Sequence, residues 1–148
     1  MATTRDSHGL TADRSGIGLR LPHLAEVVAT RPPVGWFEIH PENFLANPHA
    51  TELLLDLARD HPISIHTVGV SVGSAHGLVA AHLERFARLV ERANPFLVSG
   101  HLAWSTAHGQ YLNDLLPLPY TDETLRLVAD QLARVEDRLG CRYLLENP

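Results

Sequence analysis

The feature that most constrains this chain is the order of its segments. Short apolar runs alternate with amphipathic stretches four and a half times, and no hairpin signal such as Asn-Gly joins two of the runs. The strand candidates are "GIGLRL" (16 to 21), "GWFEIH" (35 to 40), "ISIHTVGV" (63 to 70), "FLVSGHLAW" (96 to 104) and "CRYLLENP" (141 to 148). Between them, "PHLAEVVAT" reads as a short helix. Asn47 and Pro48 read as the N-cap and first position of a second helix, whose apolar face is Leu54, Leu57 and Ala58. A third helix is expected from about Gly77 to Asn94 on Leu78, Leu83, Phe86, Leu89 and Val90, with Pro95 beyond its end. The fourth starts at the cap Thr121, carries Asp122 and Glu123 in its first turn, repeats Leu125, Val128, Leu132, Val135 and Leu139, and closes at Gly140.

Strands separated by helices cannot pair through tight turns, so this order calls for a parallel sheet with helical crossovers. Two architectures compete: an open doubly wound sheet and a barrel of eight units, which needs roughly 250 residues. A dinucleotide fingerprint would favour the open sheet, but Gly16-Ile17-Gly18 is followed by Leu21 where the third glycine should stand. With 148 residues, 45% of them hydrophobic, the chain suffices for one packed core and not for two ordinary domains. Residues 1–15 read as a flexible polar segment and 16–148 as one domain.

A net charge of −5, with 12 Lys and Arg in no run, argues against a nucleic-acid surface, which needs clustered cations. Cys141 is alone and cannot form an intramolecular disulfide. Neither an apolar signal region nor about 18 uninterrupted apolar residues occur, so a soluble cytoplasmic protein without membrane contact is expected.

Three predicted strands end with potential ligands: His66, His101 and Glu146. All strand C-termini of a parallel sheet lie on one side, so these side chains can converge although 35 and 45 positions separate them in sequence. Two imidazoles and a carboxylate suit a divalent transition metal with open positions, non-heme iron first and zinc second. For either histidine alone, a hydrogen-bonded core role is the commoner reading; the repetition at strand ends brings the metal reading beside it. Near the end of the second strand, His40, Glu42 and Asn43 could orient a ligand or contact a substrate, or simply hydrogen-bond a loop. The connection from Trp104 to Tyr120 reads as a long loop in which Trp104, Tyr111, Asn113 and Asp114 could line a pocket, or Trp104 and the "LLPLP" run simply pack the loop down.

"GVSVG" (69 to 73) matches a nucleophile elbow at Ser71, yet no histidine follows His108, so a triad in the usual order cannot be completed. Gly69 and Gly73 are expected instead to let the backbone turn tightly. His8, His23, His49, His61, His76, His82 and His108 are expected in solvated positions.

In this order, "HPENF", "SIHTVGVSVGS", "VSGHLAW", "YLNDLLPLPYT" and "LLENP" resemble the multinuclear non-heme iron-dependent oxidases, long filed as domain-of-unknown-function family 692. The likeness runs from about Gly16 to Pro148. It implies the N-terminal part of a (β/α)8 TIM barrel related in shape to xylose isomerase, with about five strands and four helices. It also implies two or three irons (Fe2+/Fe3+) in the intact fold, and oxidation of cysteine residues in ribosomally made precursor peptides by dioxygen. A small partner protein that binds the peptide leader is implied as well.

By motif, His66, His101 and Glu146 resemble family iron ligands, while His40, Glu42, Asn43 and Asn147 resemble substrate or ligand-orienting positions. Gly100 stands where the family pattern commonly has an acidic residue. The alternatives are a barrel hydrolase or isomerase using Zn, Mg or Mn, and a fragment without catalysis. On this reading the chain is the front of a barrel cut after strand five, expected to self-associate through open sheet edges.

Overall fold

A computed structural model of the protein describes residues 15–147. The segment expected to be flexible lies outside the described residues except for Ser15, whose carbonyl accepts the Gly35 N–H. In chain order the elements are β1 (Gly16–Gly18), α1 (Leu21–Thr30), β2 (Trp36–Ile39), α2 (Pro48–Leu57), β3 (Ile63–Thr67), α3 (Ala80–Ala93), β4 (Leu97–His101), β5 (Trp104–Ala107), β6 (Gln110–Leu116), α4 (Asp122–Leu139) and β7 (Leu144–Glu146). A 3-10 turn, Pro41–Asn43, follows β2.

Five strands form one parallel sheet in the order β1-β2-β3-β4-β7, and four helices connect them. The fold is α/β, in the arrangement of the first part of a TIM barrel. Register decides which residues share a face. Phe37 lies beside Ile63 and Ile39 beside Ile65; these four are buried with Leu54, Leu57, Phe86, Val90 and Val135 in the core between sheet and helices. Burying each such side chain contributes about 1.5–3 kcal/mol. On the opposite face Glu38 pairs with Ser64, His66 with Ser99, and His101 with Glu146. Alternation along the strands therefore divides the apolar core from a row of polar groups.

The capping predictions hold in detail. Asn47 accepts from Ala50 N with Pro48 at the first helical position, Thr121 accepts from Thr124 N, and Gly140 closes α4 at φ 66°. Helix α3 starts three residues later than expected, at Ala80, because Gly77 takes φ 83°.

The connection after β4 differs more. Residues expected to form a loop make an antiparallel hairpin, β5–β6, turned at His108 (φ 51°) and Gly109 (φ 75°). Trp104 thus belongs to β5 and not to the end of the preceding strand.

Gly69 and Gly73 also act differently from expectation. The left-handed residue between them is Ser71, at φ 58°. What the glycines supply is space: a Cβ on Gly73 would lie 2.6 Å from Leu118 and 2.9 Å from the Ala103 carbonyl, and one on Gly69 2.9 Å from His82.

Candidate metal centre

The C-terminal ends of β3, β4 and β7 are neighbours in the sheet, and they bring His66, His101 and Glu146 together. One donor atom from each residue lies within 4.8 Å of the other two. His66 Nε2 is 2.9 Å from His101 Nε2 and 3.4 Å from Glu146 Oε2. Ligands about 2.1 Å from a shared ion stand roughly 3.0–3.4 Å apart at octahedral or tetrahedral angles, close to the two His66 separations, while His101 approaches Glu146 Oε2 at 3.9 Å through Nδ1.

Burial first, and then the His101 imidazole, hold the His66 pKa below its ordinary value, while Glu146 and Glu38 pull it upward. The lowered pKa favours the neutral imidazole, the form that can offer a lone pair to a cation. Its other ring nitrogen, Nδ1, lies 2.8 Å from Ser99 Oγ, which fixes the ring's orientation and turns Nε2 toward the cluster. Nδ1 of His101 is buried and has no hydrogen-bond partner. Glu146 is the exposed member, at 57% of its side chain, so the group is open to solvent on that side.

The remaining candidates occupy distinct positions. The His40 ring meets His66 edge-on at 5.7 Å between centroids, extending the row of imidazoles. Glu42, on the 3-10 turn, reaches the end of β3: its Oε1 accepts from Thr67 Oγ1, Val68 N (3.0 Å) and Gly69 N (2.7 Å), and its buried Oε2 has no partner. His40, Glu42 and Asn43 line one cavity of about 720 Å³ together with Tyr111 and Asn113. Trp104 lies apart, donating its indole N–H to the Pro117 carbonyl and lining a second cavity with His76 and His108. Asn147 is exposed just beyond β7.

Sequence reasoning missed His82. It was expected in solvent, yet it lines the cavity with Glu42, and its buried Nε2 lies 4.0 Å from Glu42 Oε1 without a hydrogen bond. The signal was present in its spacing, since His82 lies four residues before the fully buried Phe86 on α3. His61 is also only partly exposed, against Phe37 and the Pro32 carbonyl.

Ser71 is buried, and its Oγ accepts from Ser105 N (2.8 Å) and lies 3.2 Å from Thr106 Oγ1. The hydroxyl fastens the hairpin to the loop after β3, and the elbow pattern has a structural purpose here.

The family described as RiPP precursor modification enzyme MbnB/TglH/ChrH matches residues 14–148. The chain belongs to this family. Similar proteins include the UPF0276 protein VV3194 of Vibrio vulnificus (46% identical over 134 residues) and UPF0276 protein RB0508 of Rhizobium meliloti (44% over 138). The UPF0276 protein AM1_3026 of Acaryochloris marina is 40% identical over 133 residues. Each alignment covers 90% of this chain but only 46%, 44% and 48% of these relatives, respectively. The chain spans about half the length of the curated relatives it matches. Among the described residues, no helix is long and apolar enough to cross a membrane.

Proposed function

We propose that this chain contributes the His66, His101 and Glu146 ligands of an iron centre that oxidises cysteine residues of a ribosomally made precursor peptide with dioxygen. The observation that carries this reading is the convergence of the three donors, within 4.8 Å, at three adjacent strand ends. The donor chemistry fits: a neutral imidazole offers a lone pair, and a carboxylate supplies charge.

When bound, iron would supply the electron transfer and dioxygen chemistry that amino-acid side chains lack. The protein's part is placement. Ser99 holds the His66 ring, and Glu42 holds the backbone at the end of β3. His40, Asn43 and Asn147 are the groups we assign to orienting that peptide, with Trp104 further out along the hairpin. We assign residues 16–148 to one partial barrel domain acting in the cytoplasm, with a small leader-binding protein as its partner.

The test is metal analysis after anaerobic loading with Fe2+, Zn2+ or Mn2+, compared with His66→Ala, His101→Ala and Glu146→Gln. Iron retained by the parent chain and lost from all three variants, with oxygen consumed when a cysteine peptide is added, supports the reading. Preference for zinc or manganese without oxygen consumption would favour a hydrolase or isomerase.

A further inference from the structure

Every cation among the chain's 12 Lys and Arg residues is an arginine, and three of them, Arg85, Arg88 and Arg92, follow one another along α3. The helix segregates its charge. Glu84 pairs with Arg138 of α4, while Arg92 turns toward α2 and pairs with Glu52 at 2.6 Å. Among the described residues, Arg85 and Arg88 have no carboxylate within ion-pair distance, although Arg88 is one of the charges that lower the Glu84 pKa. In a chain of net charge −5, α3 carries three arginines against Glu84 and Glu91, a small local excess of positive charge.

These arginines line a depression. A cavity of about 270 Å³ between α2 and α3 is bounded by Phe44, Leu45, Leu89 and the three arginines, with Glu52 at its side. It shares Leu45 and Arg85 with the 720 Å³ cavity that contains His40, Glu42 and His82. The two cavities adjoin at Leu45 and Arg85 and we read them as one trough, with Leu45 as an apolar lining residue and arginines contributed by α3. Its inner end reaches His40, whose ring touches His66 of the candidate centre. Glu42, the acid lining the larger cavity, spends one oxygen on the β3 loop.

From Arg85 to Arg92 the helix rises about 10 Å, the length of roughly three extended residues. We propose that this trough receives the precursor peptide next to its modified residue and selects an acidic stretch there, Arg85 and Arg88 meeting its carboxylates. The trough suits a thin extended chain, which needs an apolar floor for its backbone and charges at intervals to set its register. This inference rests on the reading of the centre given above, because the metal end fixes which end of the trough holds the reacting residue.

The probe is a pair of short fluorescein-labelled synthetic peptides, each with one cysteine, followed by Asp and Glu in one and by Asn and Gln in the other. Anisotropy titrations use the whole chain at low and moderate salt. The acidic peptide is expected to bind about tenfold more tightly, the sum of two modest exposed ion pairs, and to weaken as salt rises. Arg85→Gln/Arg88→Gln should reduce it to the level of the amide peptide, whereas Arg126→Gln/Arg134→Gln on α4 should leave it unchanged. Circular dichroism of both double variants confirms that each retains its helices. Equal affinity for the two peptides, no binding of either, or an unchanged affinity in the α3 variant would overturn the proposal. Iron content measured on the same samples tests the centre separately: peptide selection without iron uptake refutes the metal reading and leaves the trough standing.

Discussion

Glu42→Ala should be among the most damaging single changes in this protein, although the residue belongs to a three-residue turn outside the sheet. One carboxylate oxygen accepts the Thr67 hydroxyl and the Val68 and Gly69 N–H groups, so a single side chain satisfies the backbone donors where β3 ends. Hydrogen bonds to a charged acceptor contribute about 1.5–3 kcal/mol each, but three that share one oxygen do not add in full. The side chain also retains 23% exposure, so some of the vacated donors can find water. These corrections leave about 3–5 kcal/mol for Glu42→Ala. Glu42→Gln keeps an oxygen for the two N–H groups and places an amide where Oε2 now has no partner, and it should cost only about 1–2 kcal/mol. In urea, with a slope of about 1.5 kcal/mol/M, the alanine variant's midpoint falls by roughly 2–3 M and the glutamine variant's by about 1 M. Because Thr67 adjoins His66, iron uptake should weaken in step with the midpoint. An alanine variant within about 0.5 M of the parent, or a glutamine variant as damaged as alanine, would refute the assignment of Glu42 as the clamp of this loop.

Two further changes probe the surrounding architecture. A Cβ on Gly100 would lie 1.9 Å from the Tyr143 hydroxyl and 2.7 Å from the Thr67 carbonyl. Gly100→Ala should therefore cost about 1–3 kcal/mol, and markedly less when Tyr143→Phe removes the oxygen; a double-mutant cycle in chemical denaturation showing no coupling would contradict this packing. His82 has a pKa lowered mainly by burial, which outweighs the upward pull of Glu42 and is joined by Arg85. A histidine depressed in the folded state binds its proton more readily when unfolded. Its neutral form thus contributes stability that is present above the ordinary value of 6.5 and is lost as pH falls below it. His82→Asn should flatten the stability profile between about pH 7 and 5 relative to the parent, and an unchanged slope in urea midpoints against pH would refute this.

What could be read from the sequence, and what could not, divides along a physical line. Strand-helix alternation, the caps at Asn47 and Thr121, and the strand-end positions of His66, His101 and Glu146 follow from local periodicity and from the geometry of parallel strands. The β5–β6 hairpin does not. Its turn is His108-Gly109, with a histidine at positive φ, and β6 runs through Asn113 and Asp114, residues that disfavour strands.

The hairpin's stability is tertiary. Ser71 Oγ holds Ser105 N, Ser74 Oγ donates to the Thr106 carbonyl, Gly73 N donates to the Ala103 carbonyl, and Trp104 reaches Pro117. Gln131 of α4 then donates to the carbonyls of both Val72 and Ser74, tying the same loop to a helix nearly sixty positions away. A serine forced to φ 58° and a buried glutamine are poor local choices that become good ones only when all these partners are present. The same holds for His82 and Glu42, whose nearness depends on the 3-10 turn, the β3 loop and α3 arriving together. Local rules therefore placed the three donors at the end of the sheet, while the cavity beside them is produced by long-range polar contacts that no window of sequence contains.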